Sequence, residues 1–111
     1  MKKPNILLLH GDQHRWDCLG CYGNPDVKTP HIDCLAEEGT RYTNHFTVYP
    51  VCTPSRYSLF SGQYVHQHSA WTNQSTLPAG TATFPRLLRQ AGWHTAAVGK
   101  MHFTPTYLDV G

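Results

Sequence analysis

The densest chemistry in the chain lies in five consecutive residues, Cys52-Thr53-Pro54-Ser55-Arg56. Cysteine is the side chain here whose Cβ an oxidising enzyme can most readily turn into an aldehyde. Pro54 has a fixed φ and no N–H, which suits the first turn of a helix. Thr53 reads as the N-cap before it, and residues 55–61 read as a short helix that Gly62 can close. Cys52 then sits at or just before a helix N-terminus, where N–H groups and the macrodipole favour an anion. Arg56, one turn further in, presents a rigid fork of donors to an oxyanion.

Two other places offer functional groups. Residues 5–10 form a continuous apolar run bounded by Pro4 and Gly11, which suits a strand buried on both faces of a sheet. The run ends at Gly11-Asp12-Gln13, and open α/β sheets place their ligand sites at that edge. Asp12 reads as a metal ligand there, or as an ordinary turn carboxylate. Near the other end, Gly99 breaks a predicted strand over residues 94–98 just before Lys100 and His102. Alternate positions past a strand end allow both side chains to point to one side.

These segments carry a resemblance. Cys-x-Pro-Ser-Arg at 52–56 resembles the signature of the formylglycine-dependent sulfatases of the alkaline phosphatase superfamily. Upstream, Asn5-Ile6-Leu7-Leu8-Leu9-His10-Gly11-Asp12-Gln13, followed by Leu19-Gly20-Cys21-Tyr22-Gly23, is similar to that family's first strand and metal-binding turn. Downstream, Ala91-Gly92-Trp93-His94-Thr95-Ala96-Ala97-Val98-Gly99-Lys100-Met101-His102 is similar to its Gly-Lys-x-His segment. The three motifs stand in the family's order and cover almost the whole chain.

The resemblance implies a sulfuric ester hydrolase. In it Cys52 is converted by a formylglycine-generating maturation enzyme, and the hydrate of the aldehyde is both nucleophile and metal ligand. Asp12, with Gln13, would bind a divalent metal, Ca2+ in the first instance and Mn2+ or Mg2+ as alternatives. A hard cation with oxygen ligands can offset the charge of a sulfate ester and activate a nucleophile. Arg56 and Lys100 would bind the hydrate and sulfuryl oxygens, and His102 would contact the formylglycine hydroxyl and help deprotonate it. Gln13 departs from the Asp-Asp pair of many sulfatases and brings no charge. Asp-Gln is similar to the phosphonate monoester and phosphodiester hydrolases of the same superfamily, which leaves a second reading open. A third is an inactive truncated fragment, because the family's later Asp-Asn or Asp-His, lysine and histidine have no counterpart here, and Asp109 is not a substitute.

Bulk properties exclude little. The chain has 111 residues, a net charge of +2 and eight histidines. Its Lys and Arg residues are scattered, without a basic run, so nucleic acid is not an expected partner. The apolar run at 6–9 is far too short for a signal core or a membrane span, so no membrane association and a cytoplasmic location are expected. Four cysteines without a leader read as thiols rather than a disulfide framework. Cys18 and Cys21 have Cys-x-x-Cys spacing, open to half a zinc site or a redox pair; with no second such pair, two packed thiols is the simpler reading.

The remaining elements follow from periodicity. Thr29 caps a helix begun by Pro30, with Ile32, Leu35 and Ala36 as its apolar stripe, Cys34 on the apolar side in the core, and Gly39 as its stop. Residues 41–48 alternate like a strand, and 63–82 read as an irregular surface segment able to line a pocket. There His66 and His68 are the histidines nearest to a substrate role, without support of their own. Thr83 caps a helix with Phe84, Leu87, Leu88 and Ala91 at i, i+3, i+4 and i+7. The order implies an α/β fold with a mainly parallel sheet sandwiched by helices. With no second domain and no closing element, residues 1–111 read as the N-terminal portion of a catalytic domain.

Overall fold

The computed structural model of this chain describes residues 3–103. Met1, Lys2 and the closing Asp109-Val110-Gly111 lie outside the described residues. Two 3₁₀ turns, Trp16–Cys18 and Gly20–Tyr22, precede four helices: α1 (Pro30–Glu38), α2 (Cys52–Ser61), α3 (Val65–His68) and α4 (Phe84–Gln90). The chain divides into two compact units, Met1–His45 and Phe46–Gly111. No helix among the described residues is long and apolar enough to cross a membrane.

The expected sheet is absent among the described residues: stretches 5–10, 41–48 and 94–98 carry no β-ladder. A strand persists only when a neighbour pairs its N–H and C=O groups and another layer covers its apolar faces. Here the apolar side chains meant for those layers face solvent, with Leu7 82% and Val98 99% exposed.

In the first unit, α1 has the predicted bounds, with Thr29 as N-cap, Pro30 first and Gly39 at its end. The Thr29 hydroxyl does not cap the helix backbone. It accepts from the Gly20 N–H at 2.9 Å and donates to Asp33 Oδ1 at 2.9 Å. Asp33 Oδ1 also accepts the Cys21 N–H at 2.7 Å, so the start of α1 anchors the Gly20–Tyr22 turn. Glycine at position 20 leaves room for this carboxylate, since a Cβ there would lie 2.5 Å from Asp33 Oδ2 and push it aside. Cys34 is exposed, not in a core, and its thiol lies 3.4 Å from Glu38 Oε1. Ile32 and Leu35 on the same helix are exposed as well, since no layer packs on that stripe among the described residues.

The second unit is built on α2. Its core is Tyr57, Ala70, Leu77 and Phe103, with Phe60 and Met101 packed against it. Tyr57 and Phe103 stack with centroids 5.2 Å apart and planes 6° apart, and Phe60 meets Phe103 edge-on at 5.0 Å. Phe60 also meets Phe84 at the start of α4, at 5.0 Å. Such pairs add about 0.5–1.5 kcal/mol each beyond the area they bury. The 63–82 segment is more ordered than its sequence suggests: it contributes α3, buries His68, Ala70 and Leu77, and receives the Tyr57 hydroxyl at the Ser75 carbonyl, 3.1 Å away.

Candidate active site

The helix under the Cys-x-Pro-Ser-Arg motif begins earlier than its sequence implies. Cys52 is its first residue, Val51 is the N-cap, and Thr53 lies inside the helix instead of capping it. The reason lies in what serves the orphan donors of the first turn. The Thr53 N–H goes to Asn73 Oδ1 at 3.0 Å, Pro54 has no N–H to satisfy, and the Ser55 N–H makes the first helical bond to Val51 O at 3.0 Å. Gly62 closes the helix at φ 68, with its N–H on the Ser58 carbonyl, a left-handed cap that glycine adopts without steric cost. Cys52 is therefore presented at a helix N-terminus, half-buried, its thiol not engaged in a disulfide.

One face of α2 holds the 100–103 segment. Thr53, Arg56 and Tyr57 stand at i, i+3 and i+4 and share that face. The Thr53 hydroxyl donates to the His102 carbonyl at 3.0 Å, Arg56 Nη1 donates to the Lys100 carbonyl at 2.7 Å, and the Tyr57 ring stacks on Phe103. All three are buried, Arg56 to 6% exposure. Arg56 is thus not an exposed helix arginine: its guanidinium fixes the backbone of the second catalytic candidate. The fixed segment returns Lys100 Nζ to 3.9 Å from Cys52 Sγ.

His102 is held in an uncommon conformation. Its φ of 56° lies in the left-handed region, which costs a non-glycine residue about 1–2 kcal/mol. The expected alternation of Lys100 and His102 past a strand end is therefore not how they are placed; the bonds from α2 place them. His102 Nδ1 is buried without a hydrogen-bond partner among the described residues. An orphaned buried nitrogen is costly unless a further group meets it.

The other histidine of interest, His68, is structural. It is 4% exposed, accepts the Ala70 N–H on Nδ1 at 3.1 Å and places Nε2 2.9 Å from Ser58 Oγ. Acceptance at Nδ1 puts the ring proton on Nε2 in this geometry. Burial pushes its pKa below the ordinary histidine value, with the neighbouring His66 acting in the same direction.

Asp12 and Gln13 belong to the first unit and stand on an exposed turn. Gln13 shares the left-handed backbone of His102, at φ 56. Strained non-glycine residues collect at functional sites, and two of the three among the described residues are site candidates on sequence grounds, the third being Ser69. A carboxylate and an amide oxygen suit a hard cation in kind. No group of three or more His, Cys, Asp or Glu side chains gathers among the described residues. Cys18 and Cys21 are half-buried free thiols in the two 3₁₀ turns.

Thr53, Asn73, Tyr57 and Phe103 did not stand out as functional in the sequence. The signal available was the i, i+3, i+4 spacing of 53, 56 and 57; nothing local marks Asn73.

Comparison with known proteins places the chain in a family. Residues 4–109 match the sequence profile of the Sulfatase family. An N-acetylglucosamine-6-O-sulfatase of Bacteroides thetaiotaomicron is 39% identical over 101 residues, which is 91% of this chain and 18% of that protein. A solved complex with the substrate D-glucosamine-2-N,6-O-disulfate superposes with a TM-score of 0.88 at 38% identity, covering 93% of this chain and 21% of that one. A phosphonate monoester hydrolase of Agrobacterium radiobacter superposes with a TM-score of 0.78 at 37% identity, covering 82% of this chain and 18% of that one. The chain spans about a fifth of the length of the curated relatives it matches. The match over nearly its whole length means that this chain belongs to the sulfatase family, in the alkaline phosphatase-like superfamily.

Proposed function

We propose that the protein carrying this chain hydrolyses sulfate esters, with a nucleophile generated from Cys52. The observation that carries the reading is the approach of Lys100 Nζ to 3.9 Å from Cys52 Sγ at the first residue of α2. That pairing puts a cation and a helix N-terminus beside the nucleophile position, an arrangement suited to an anionic ester. Oxidation of Cys52 by a formylglycine-generating enzyme would supply an aldehyde whose hydrate offers a hydroxyl nucleophile. Asp12 and Gln13 would hold a divalent metal, calcium first and manganese or magnesium as alternatives, which would offset ester charge.

The chain's own side chains do the rest. Lys100 binds a sulfuryl oxygen as a point charge. Arg56 holds the Lys100 backbone, and its positive charge lies under the same site. His102 uses the nitrogen that has no partner among the described residues to hold or move a proton at the nucleophile's hydroxyl. Water adds across the O–S bond, and the products are an alcohol and sulfate. The extended stretches 5–10, 41–48 and 94–98 supply strands of an α/β domain in the whole enzyme, a reading that the superposition on larger relatives supports.

Sulfated amino sugars are the first substrates to assay, since one relative is an N-acetylglucosamine-6-O-sulfatase and one solved neighbour is bound to D-glucosamine-2-N,6-O-disulfate. The similarity to a phosphonate monoester hydrolase favours a second reading, with the same residues acting on phosphonate or phosphate esters. Parallel kcat/KM measurements on 4-nitrophenyl sulfate and 4-nitrophenyl phenylphosphonate separate them. A wide preference for sulfate supports the first reading, and a wide preference for phosphonate replaces it with the second.

A further inference from the structure

We propose that Thr53 is a positioning residue for His102, with Asn73 holding Thr53 in place. This rests on the proposed reading of His102 as a proton-handling group. Position 53 is the variable letter of the Cys-x-Pro-Ser-Arg motif, and its side chain could have been an exposed spacer. It is instead fully buried, at 0% exposure.

The hydroxyl and the N–H of Thr53 both bond to residues distant in the chain. Its hydroxyl lies 3.0 Å from the His102 carbonyl, 49 positions away, and 3.5 Å from the Asn73 carbonyl. One hydroxyl proton serves the shorter contact. Its N–H donates to Asn73 Oδ1 at 3.0 Å. The chain thus runs from the Asn73 amide to the first turn of α2, and from there to His102.

His102 needs such a hold. Its left-handed backbone is unfavourable for a side chain with a Cβ. A residue stays there only when its surroundings determine it. The flanking residues are fixed too, Lys100 by Arg56 and Phe103 by Tyr57. Among the described residues, the bond to the His102 carbonyl is the one made to the strained residue itself. It comes from the residue next to Cys52, so one hydrogen bond ties the backbone of the proton-handling group to the residue beside the nucleophile. Thr53 touches neither substrate nor reacting atoms and acts through His102.

The test compares Thr53→Val, Thr53→Ser and Asn73→Ala with His102→Ala in the protein that carries this chain, on 4-nitrophenyl sulfate. Conversion of Cys52 is verified in every variant by peptide mass. Thr53→Val keeps the shape and removes the hydroxyl; kcat is expected to fall on the order of tenfold to a hundredfold, the effect of a small misplacement, with KM nearly unchanged. The limb of the pH–rate profile that His102→Ala abolishes is expected to shift in Thr53→Val, which a merely structural role would not produce. Thr53→Ser restores both. If Thr53→Val does not fold, Asn73→Ala decides, with the same fall in kcat at steady KM supporting the proposal. Folded, converted variants with wild-type kcat and pH profile overturn it while the reading of His102 stands. Full activity in His102→Ala removes that reading, and the positioning role with it.

Discussion

Arg56 Nη1 donates to the carbonyl oxygen of Lys100 at 2.7 Å, from a side chain only 6% exposed. The arginine of the motif therefore shapes the site through another residue's backbone as well as through its charge. Arg56→Lys keeps the charge but loses the planar fork. It is expected to lower unfolding free energy by about 1.5–3 kcal/mol, as for a lost hydrogen bond to a charged group, and to depress kcat along with it. Urea denaturation and steady-state kinetics on the same preparation check this; an unchanged midpoint would show that the contact is dispensable.

The ring stack of Tyr57 and Phe103 supplies the apolar part of the same hold. Phe103→Ala should cost about 3–5 kcal/mol, typical of a buried aromatic truncated to alanine. Tyr57→Phe keeps the stack and loses the bond to the Ser75 carbonyl, which is worth about 1 kcal/mol. Denaturant melts of the two variants should rank in that order.

How legible this was depends on what each feature relies on. The bounds of α1 could be read from Thr29, Pro30 and Gly39, because caps are local chemistry. The stop of α2 at Gly62 and the presentation of Cys52 at its start were legible for the same reason. The start itself was misread, since Asn73, twenty positions away, serves the Thr53 N–H and lets the helix begin at Cys52. Residues 5–10 read as a strand because their apolar run is genuine, but a ladder needs partners that no local pattern supplies. Cys34 was assigned to a core on helical phase alone, and phase says nothing about whether a second layer packs there. Cys52, Arg56, Lys100 and His102 were singled out from their motifs; the bonds from Thr53 and Arg56 that fix the 100–103 backbone were not legible, because they join residues more than forty positions apart.

His68 makes stability depend on pH. Its pKa is depressed in the fold by burial, so the unfolded chain binds the extra proton more readily. The contribution is complete above the ordinary histidine value of 6.5 and is lost as pH falls from there towards the lowered pKa of the folded state. Protonating Nδ1 would also set two N–H groups against each other at Ala70. Thermal melting between pH 7.5 and 5 (roughly the range in which histidine titrates) should show a falling midpoint that His68→Gln flattens. An equal slope in the variant would assign the dependence to other groups.

Gly20→Ala should disrupt the first unit by forcing Asp33 Oδ2 away from a Cβ it would meet at 2.5 Å. The displaced carboxylate would release the Cys21 N–H and the Thr29 hydroxyl. A loss of about 1–3 kcal/mol is expected for overpacking at such a contact. Hydrogen exchange at the Cys21 amide should quicken, and unchanged protection there would mean that Asp33 yields freely.

The central claim is that Cys52 becomes the nucleophile of a sulfate ester hydrolase, and one paired measurement tests it. The protein carrying this chain is coexpressed with a formylglycine-generating enzyme and assayed on 4-nitrophenyl sulfate beside its Cys52→Ala variant. The tryptic peptide over residues 42–56 is weighed in the same samples. The account predicts a peptide lighter by about 18 Da, the change from thiol to aldehyde, together with turnover that Cys52→Ala abolishes. Sustained hydrolysis by Cys52→Ala, or full activity with the peptide mass unshifted, would contradict it.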